Sequence, residues 1–288
     1  MKQADPAQAS RTPPGQTLTA KWPVLTYGRT PRFDPKTWTF RCFGLVERAV
    51  SWTWEEFQKL PRVTLTSDIH CVTRWSKLDN VWEGVSIREI MERVRPLPEV
   101  KFVMQHADPD YTTNIALEDL VQDDVVLAIK HNGRDLEPDH GGPMRLVVPK
   151  LYFWKSAKWL RAFEFLDVNP PGFWEQNGYH MNADPWQEER YSDQETRAMQ
   201  QMRAEAARKL RDRLARAVHD RRTRSVAVGP FMNHPRWAAR GRPHAGASAA
   251  PASAAPAAPR KVAAKPTAAT PNPAERPPSP MPSSRAVK

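Results

Sequence analysis

Cysteine is scarce: the 288 residues contain two, Cys42 and Cys71. That excludes a disulfide framework and any four-cysteine zinc or iron–sulfur centre. There is no Cys-x-x-Cys-His run either, so no haem is expected. No apolar run approaches the roughly 20 residues that cross a bilayer, and no membrane span is expected. The first residues, Met1-Lys2-Gln3-Ala4-Asp5-Pro6, lead into a polar, Pro-rich stretch without an apolar h-region or a twin arginine. The expected location is therefore cytoplasmic. Negative charge is scarce at one end only. Residues 1–196 carry 24 Lys+Arg against 28 Asp+Glu, and residues 197–288 carry 19 against 4. The net charge of +11 thus belongs to the C-terminal third, and a basic surface for an acidic partner would lie there.

Composition divides the rest of the chain. Residues 1–21 are polar, lack periodicity and read as a disordered leader. Residues 22–191 are rich in Trp and Val with turn signals every ten or so residues, as in a globular domain. Trp38, Phe40 and Cys42 alternate with polar neighbours, which predicts a half-buried strand, and Val63–Thr66, Lys101–Gln105, Val125–His131 and Arg145–Pro149 predict others. Asn132-Gly133 is a two-residue hairpin signal. Trp54–Phe57 predicts a short helix. Ser86 caps a second one, with Glu89 completing a capping box and Ile87, Ile90, Met91 and Val94 as its apolar face. Strands outnumber helices, so the class is α+β, mainly β. Residues 192–226 predict a basic amphipathic helix with a stripe at Met199, Met202, Ala206, Leu210, Leu214 and Val218. Residues 227–288, mostly Ala, Pro, Ser, Lys and Arg, cannot offset their conformational entropy and read as a disordered tail.

The chemistry concentrates in Ser67-Asp68-Ile69-His70-Cys71-Val72-Thr73-Arg74-Trp75-Ser76. A cysteine beside His70 and Arg74 sits where positive charge favours the thiolate, the form that ligates metals or attacks carbonyls. A buried structural thiol is the commoner fate of a lone cysteine, and Cys42, inside its apolar strand, keeps that reading.

The segment Asp68–Ser76 resembles the molybdenum-binding segment of the sulfite-oxidase-like molybdopterin oxidoreductases, in which one cysteine followed by Trp-Ser ligates the metal. Two further segments match in order. They are Gly141-Gly142-Pro143-Met144-Arg145 with Lys155-Ser156-Ala157-Lys158-Trp159, and Gly172–His180 closing on Asp184-Pro185-Trp186-Gln187-Glu188-Glu189-Arg190-Tyr191. The last signature is that of small stand-alone bacterial members. The resemblance implies a sulfite-oxidase-type fold over residues 22–191 and a molybdenum–molybdopterin cofactor with Cys71 as metal ligand. It implies pterin or phosphate contacts from Arg145, His140, Ser156, Ala157, Lys158 and His106 (or Ala107), and from a first strand at Leu25, Thr26 and Tyr27. Arg74, three residues from the ligand, is the candidate for recognising an oxo-bearing substrate.

Vertebrate-type sulfite oxidases follow the ligand with Ala-Gly-Asn-Arg-Arg, where this chain has Val72–Ser76, and their haem and dimerisation domains have no counterpart here. The implied activity is therefore oxygen-atom transfer on a small S- or N-oxide or related oxo species, with electrons exchanged with a separate carrier. The exported methionine-sulfoxide reductase branch shares the Cys-Val-x-x-Trp-Ser pattern. Rival readings are a non-catalytic binding module that keeps the fold, and a Cys71 hydrolase using His70 or His180. The first predicts a damaged pocket. In the second, strand geometry opposes a Cys71–His70 pair, since neighbouring residues point to opposite faces. The basic helix and tail could bind nucleic acid or an acidic partner; a solvated helix packing its stripe on the body is the commoner case.

Overall fold

The computed structural model describes residues 6–223. The tail expected to be disordered at 227–288, the end of the 192–226 segment and the first five residues of the leader lie outside them. In chain order the elements are α1 (Pro6–Ala9), β1 (Thr17–Leu18), β2 (Thr39–Gly44), β3 (Val50–Thr53), α2 (Trp54–Gln58), β4 (Val63–Cys71), β5 (Trp75–Ser86), α3 (Ile87–Val94), β6 (Phe102–Ala107), β7 (Tyr111–Ala116), α4 (Leu117–Leu120), β8 (Val126–His131), β9 (Arg134–Asp135), β10 (Arg145–Val147), β11 (Leu160–Leu166), α5 (Phe173–Gln176) and α6 (Arg197–Thr223). Strands dominate and every helix before α6 is short, the mainly-β α+β class expected. Among the described residues no helix is long and apolar enough to cross a membrane.

Two sheets carry the structure. In the first, β5 is the spine: β4 runs antiparallel along one edge, while the other edge takes β1 in parallel and β8 in antiparallel, with β9 and β10 on β8. The second runs β3-β2-β11-β6-β7, with β2 and β11 parallel. Local signals explain the turns. Asn132 and Gly133 both take positive φ (50° and 76°) and return β8 into β9, the pairing such a dipeptide favours. Thr53 and Glu56 cap α2 reciprocally. Ser86 caps α3 through the Arg88 N–H, but no capping box forms, because the Glu89 carboxylate turns to Arg93 one helical turn on.

Period-2 alternation divides the faces of the first sheet. Val85, Leu127 and Leu146 join Phe40, Phe57, Ile90 and Phe163 in the main core, which both sheets share. Ile69, Trp82, Val126, Ala128 and Val147 form a second cluster on the other face, against Trp22 and Phe153. A bulge between Ser67 and Ile69 leaves Asp68 unpaired and free to meet the N-terminal segment.

Two expectations fail here. The leader is not disordered over residues 11–19: β1 lies along Trp75–Ser76, the Thr17 and Thr19 amides donate to Arg74 and Ser76 carbonyls, and Arg11 pairs with Asp68. A two-residue parallel pairing has no periodicity to read. In the basic segment, Ala206 is buried and Met199 half-buried, but Met202 is 62% exposed and does not join the seam. The start of α6 is instead held by Arg203, which donates to the Glu195 carboxylate and the Glu175 carbonyl. The side chains of Leu210, Leu214 and Val218 lie outside those described.

Candidate functional site

The second face of the first sheet gathers two sets of polar groups. One surrounds Cys71, which ends β4 and follows Ile69 on the same face. Its side chain is buried, its Sγ lies 3.2 Å from Thr73 Oγ1, and burial pushes its thiol up, against smaller opposing contributions from Thr73 and the Arg190 charge. The expected neighbours do not supply positive charge. His70 Nδ1 is 2.8 Å from Ser76 Oγ, and burial lowers this imidazole to about 4, so it is neutral near pH 7. Arg74 is 62% exposed, takes a left-handed φ of 72° at the turn and leans toward Glu188 at 3.9 Å.

The buried cation is Arg190. Its side chain is 4% exposed, its Nη1 donates to the Val72 carbonyl at 2.6 Å, and its guanidinium lies 4.8 Å from the Tyr152 ring centre. Three buried polar atoms in this neighbourhood have no hydrogen-bond partner: Arg190 Nε, Tyr152 Oη and Gln16 Oε1. Tyr152 Oη and Gln16 lie side by side without a satisfactory bond between them. Buried groups of this kind are costly unless something answers them.

The other set is a row of basic groups. Arg145, on β10, is buried, and burial lowers it to about 9. Its donors go to the carbonyls of His140 (2.8 Å) and Ser156 (2.9 Å), and its guanidinium sits 4.1 Å from the Phe153 ring centre. Lys158 donates to the Leu25 and Asp139 carbonyls and to Thr26 Oγ1; burial first, then Arg145, lowers it to about 8. His131 and His140 are also held below the usual histidine range, chiefly by burial. Glycine is required beside them: Gly141 has φ 107°, and a Cβ there would sit 3.0 Å from Lys158 and 3.1 Å from Arg145. Among the described residues neither Arg145 nor Lys158 donates to a carboxylate; the Asp139 charge acts on Lys158, and Glu137 and Asp139 act on His140, with no carboxylate hydrogen-bonded to either cation.

An anionic pterin phosphate fits this row, and the orphaned atoms fit further polar groups near Cys71. Residues 152–158 connect the two sets, Tyr152 facing Arg190 and Phe153 facing Arg145. Among the described residues no group of three or more His, Cys, Asp or Glu could hold a metal ion, so a metal here would draw on a thiolate and on ligands the cofactor brings.

The structure brings together Arg145, His140, Ser156, Lys158, Leu25 and Thr26. Ser156 acts through its carbonyl, its hydroxyl being taken by the Val148 N–H, and the Ala157 N–H is taken by Gln105 Oε1. Tyr27 packs on Phe173 instead. His106 does not join: it bonds Glu164 Oε2 at 2.9 Å and stacks on Phe43. The next residue back, Gln105, is fully buried and grips Lys155 O and Ala157 N. One residue on a strand exchanges the faces. Residues that sequence reasoning left unassigned include Arg190, Tyr152, His131 and Trp22. Only Arg190 stood in a quoted signature.

Among the described residues no Cys–His pair is assembled. The His180 ring accepts from the Asn182 and Ala183 amides, and His70 is engaged by Ser76.

The neutral histidines carry a pH prediction. A group whose folded pKa (about 4 for His131) lies below its unfolded value near 6.5 binds protons more readily when unfolded. Stability of the cofactor-free protein is thus expected to be full above pH 6.5 and to fall between 6.5 and 4. In His131→Gln that fall should be smaller in thermal melts; an equal fall would remove His131 from the account.

Comparison with known proteins gives a match to the family described as the oxidoreductase molybdopterin binding domain over residues 27–174. The uncharacterized oxidoreductase YuiH of Bacillus subtilis is 46% identical over 186 residues, covering 64% of this chain and 94% of that protein. The putative protein-methionine-sulfoxide reductase subunit YedZ1 of Azospira oryzae is 27% identical over 179 residues, covering 61% of this chain and 68% of its own. Among solved structures, the sulfane dehydrogenase SoxCD of Paracoccus pantotrophus aligns at a TM-score of 0.44 and 24% identity, over 48% of this chain and 40% of that one.

Proposed function

The chain belongs to the molybdopterin-binding oxidoreductase family, and from that premise we propose that it transfers oxygen atoms to or from a small S- or N-oxide, exchanging electrons with a separate carrier. One observation carries the reading. Arg145 and the buried Cys71 thiol lie on one face of one sheet, Lys158 stands beside Arg145 in the loop that follows residues 152–157, and among the described residues neither cation donates to a carboxylate.

In this proposal Cys71 is the metal's protein ligand, a soft sulfur donor; ligation deprotonates the thiol and overcomes the burial that disfavours its thiolate. Arg145 and Lys158 hold the pterin phosphate, and the His140 carbonyl keeps Arg145 in place. When bound, the molybdenum–pterin group supplies the two-electron redox couple for oxygen-atom exchange. The protein's own task is to place the substrate. Arg190 suits that role better than the expected Arg74: it is buried, adjacent in space to the Cys71–Val72 backbone, and has one donor unused. Arg74 is turned to solvent and to Glu188. Tyr152 Oη offers a second unused donor for an oxo group.

The relative named as a methionine-sulfoxide reductase subunit makes an S-oxide the first substrate to try. Expressed in a host that makes molybdopterin, the protein is expected to contain near-stoichiometric molybdenum and pterin, and to turn over an S- or N-oxide with a chemical one-electron donor. Folded protein that takes up neither metal nor pterin would overturn the proposal.

A further inference from the structure

Residues 11–26 run from the Cys71 strand to the basic row, and the whole stretch precedes the segment matched by the family. At one end Arg11 grips the bulged Asp68 through two bonds (2.8 and 2.5 Å) and Asp79 through a third (2.6 Å). Gln16 then donates to the Cys71 carbonyl at 3.1 Å, and β1 pairs with Trp75–Ser76. Gly15, at φ 67°, passes where a Cβ would meet Glu188 and Arg74 at 2.4 and 2.9 Å. Trp22 follows. Its ring stacks on His140 at 3.9 Å and 18°, meets His131 edge-on at 4.4 Å, and has the Arg145 guanidinium 5.5 Å from its centre. Beyond it residues 23–29 are exposed, and Lys158 reaches out to Leu25 and Thr26.

We propose that residues 11–26 are a strap laid over the cofactor's seat, latched by Arg11 on Asp68 and Asp79 and seated by Trp22 on the basic row. The inference rests on the reading of that row as the cofactor's seat. A single exposed ion pair contributes little. This latch is a bidentate guanidinium–carboxylate contact shared with a second carboxylate, which adds geometric definition. Lys158 spends donors on the strap, so an anion that engages Lys158 also touches the strap's far end. Retention of the cofactor therefore depends on residues that never face the metal.

The test uses the molybdenum-loaded enzyme. Wild type, Arg11→Lys, Arg11→Ala and Trp22→Ala are incubated and passed over a sizing column. Released pterin is read by fluorescence after oxidation, and the strap by trypsin cleavage after Lys21. Arg11→Ala and Trp22→Ala are expected to release pterin at least about tenfold faster, the lower end of the loss seen when outer-shell partners of a metal site are removed. Cleavage at Lys21 should rise in parallel, and Arg11→Lys, which keeps the charge and loses the bidentate fork, should fall between. Release and cleavage at wild-type rates in Arg11→Ala would overturn the strap while leaving the cofactor assignment intact. Wild type that never holds pterin would overturn both. Should Trp22→Ala fail to fold, the Arg11 pair decides alone.

Discussion

Cys71→Ser is expected to fold as wild type does and to lose the molybdenum chemistry. The exchange is nearly isosteric, and the hydroxyl can keep the contact to Thr73 Oγ1 that the thiol makes at 3.2 Å. Stability of the cofactor-free protein should change little. Metal binding should change greatly, because a hard, poorly acidic hydroxyl replaces a soft donor that a metal deprotonates. Removing outer-shell partners of a metal site costs about 10–100-fold, so replacing the protein ligand itself should cost no less than about 100-fold in turnover. Metal analysis and the Mo(V) EPR spectrum check it: lost metal or an altered spectrum is expected. An unchanged spectrum at full metal content would place the ligand elsewhere. Cys42 is no substitute, because it is 1% exposed in the main core, where burial drives its thiol well above the ordinary range. Cys42→Ala should keep both metal and spectrum, which separates ligand loss from a general effect of removing a thiol.

The parts of this fold that were legible in the sequence are those set by near neighbours. Phe40 and Cys42 alternate into the core, Asn132-Gly133 turns β8 into β9, and Ser86 starts α3, each from spacing that a few residues fix. The site was legible only in part. Arg145 and Lys158 were reached through a resemblance, since a lone arginine in a short strand has no signature of its own. Arg190, Tyr152, Gln16 and Trp22 meet through contacts such as Arg190 to Val72, between residues 118 apart, and no local pattern encodes such a meeting. His106 shows the cost of one residue of register: its neighbour Gln105 faces the loop at 155–157, and His106 faces Glu164. The order of the leader is hidden in the sequence for a related reason. Arg11 looks like any surface arginine until the Asp68 bulge provides its partner.

Loss of Lys155 should cost a large share of the domain's stability. This lysine opens the motif Lys155-Ser156-Ala157-Lys158, whose other three residues the family resemblance assigns to the cofactor. The structure gives it another part. Its side chain is 1% exposed and that of Glu175 is fully buried; the ammonium lies 2.7 Å from Glu175 Oε1 and donates to Asn114 Oδ1 (2.8 Å) and the Met181 carbonyl (2.7 Å). The same Glu175 oxygen accepts from Thr113 Oγ1 and Trp154 Nε1. Lys155→Met fills most of the volume but leaves a buried carboxylate without its counter-ion, and breaking such a pair costs about 3–5 kcal/mol. Against the 5–15 kcal/mol typical of a whole domain that is a large share, and at this size it corresponds to a fall of roughly 10 °C in Tm. Glu175→Gln in the Lys155→Met background should recover part of the loss, because the charge that lacked a partner is gone while Thr113 and Trp154 keep an acceptor. A Lys155→Met protein within about 1 kcal/mol of wild type in denaturant unfolding would mean that the pair is solvated or otherwise compensated. The damage should also reach the cofactor. Gln105 holds both the Lys155 carbonyl and the Ala157 amide, and Ser156 between them accepts from Arg145, so a loop loosened at Lys155 releases the carbonyl that orients the arginine in the proposed phosphate seat.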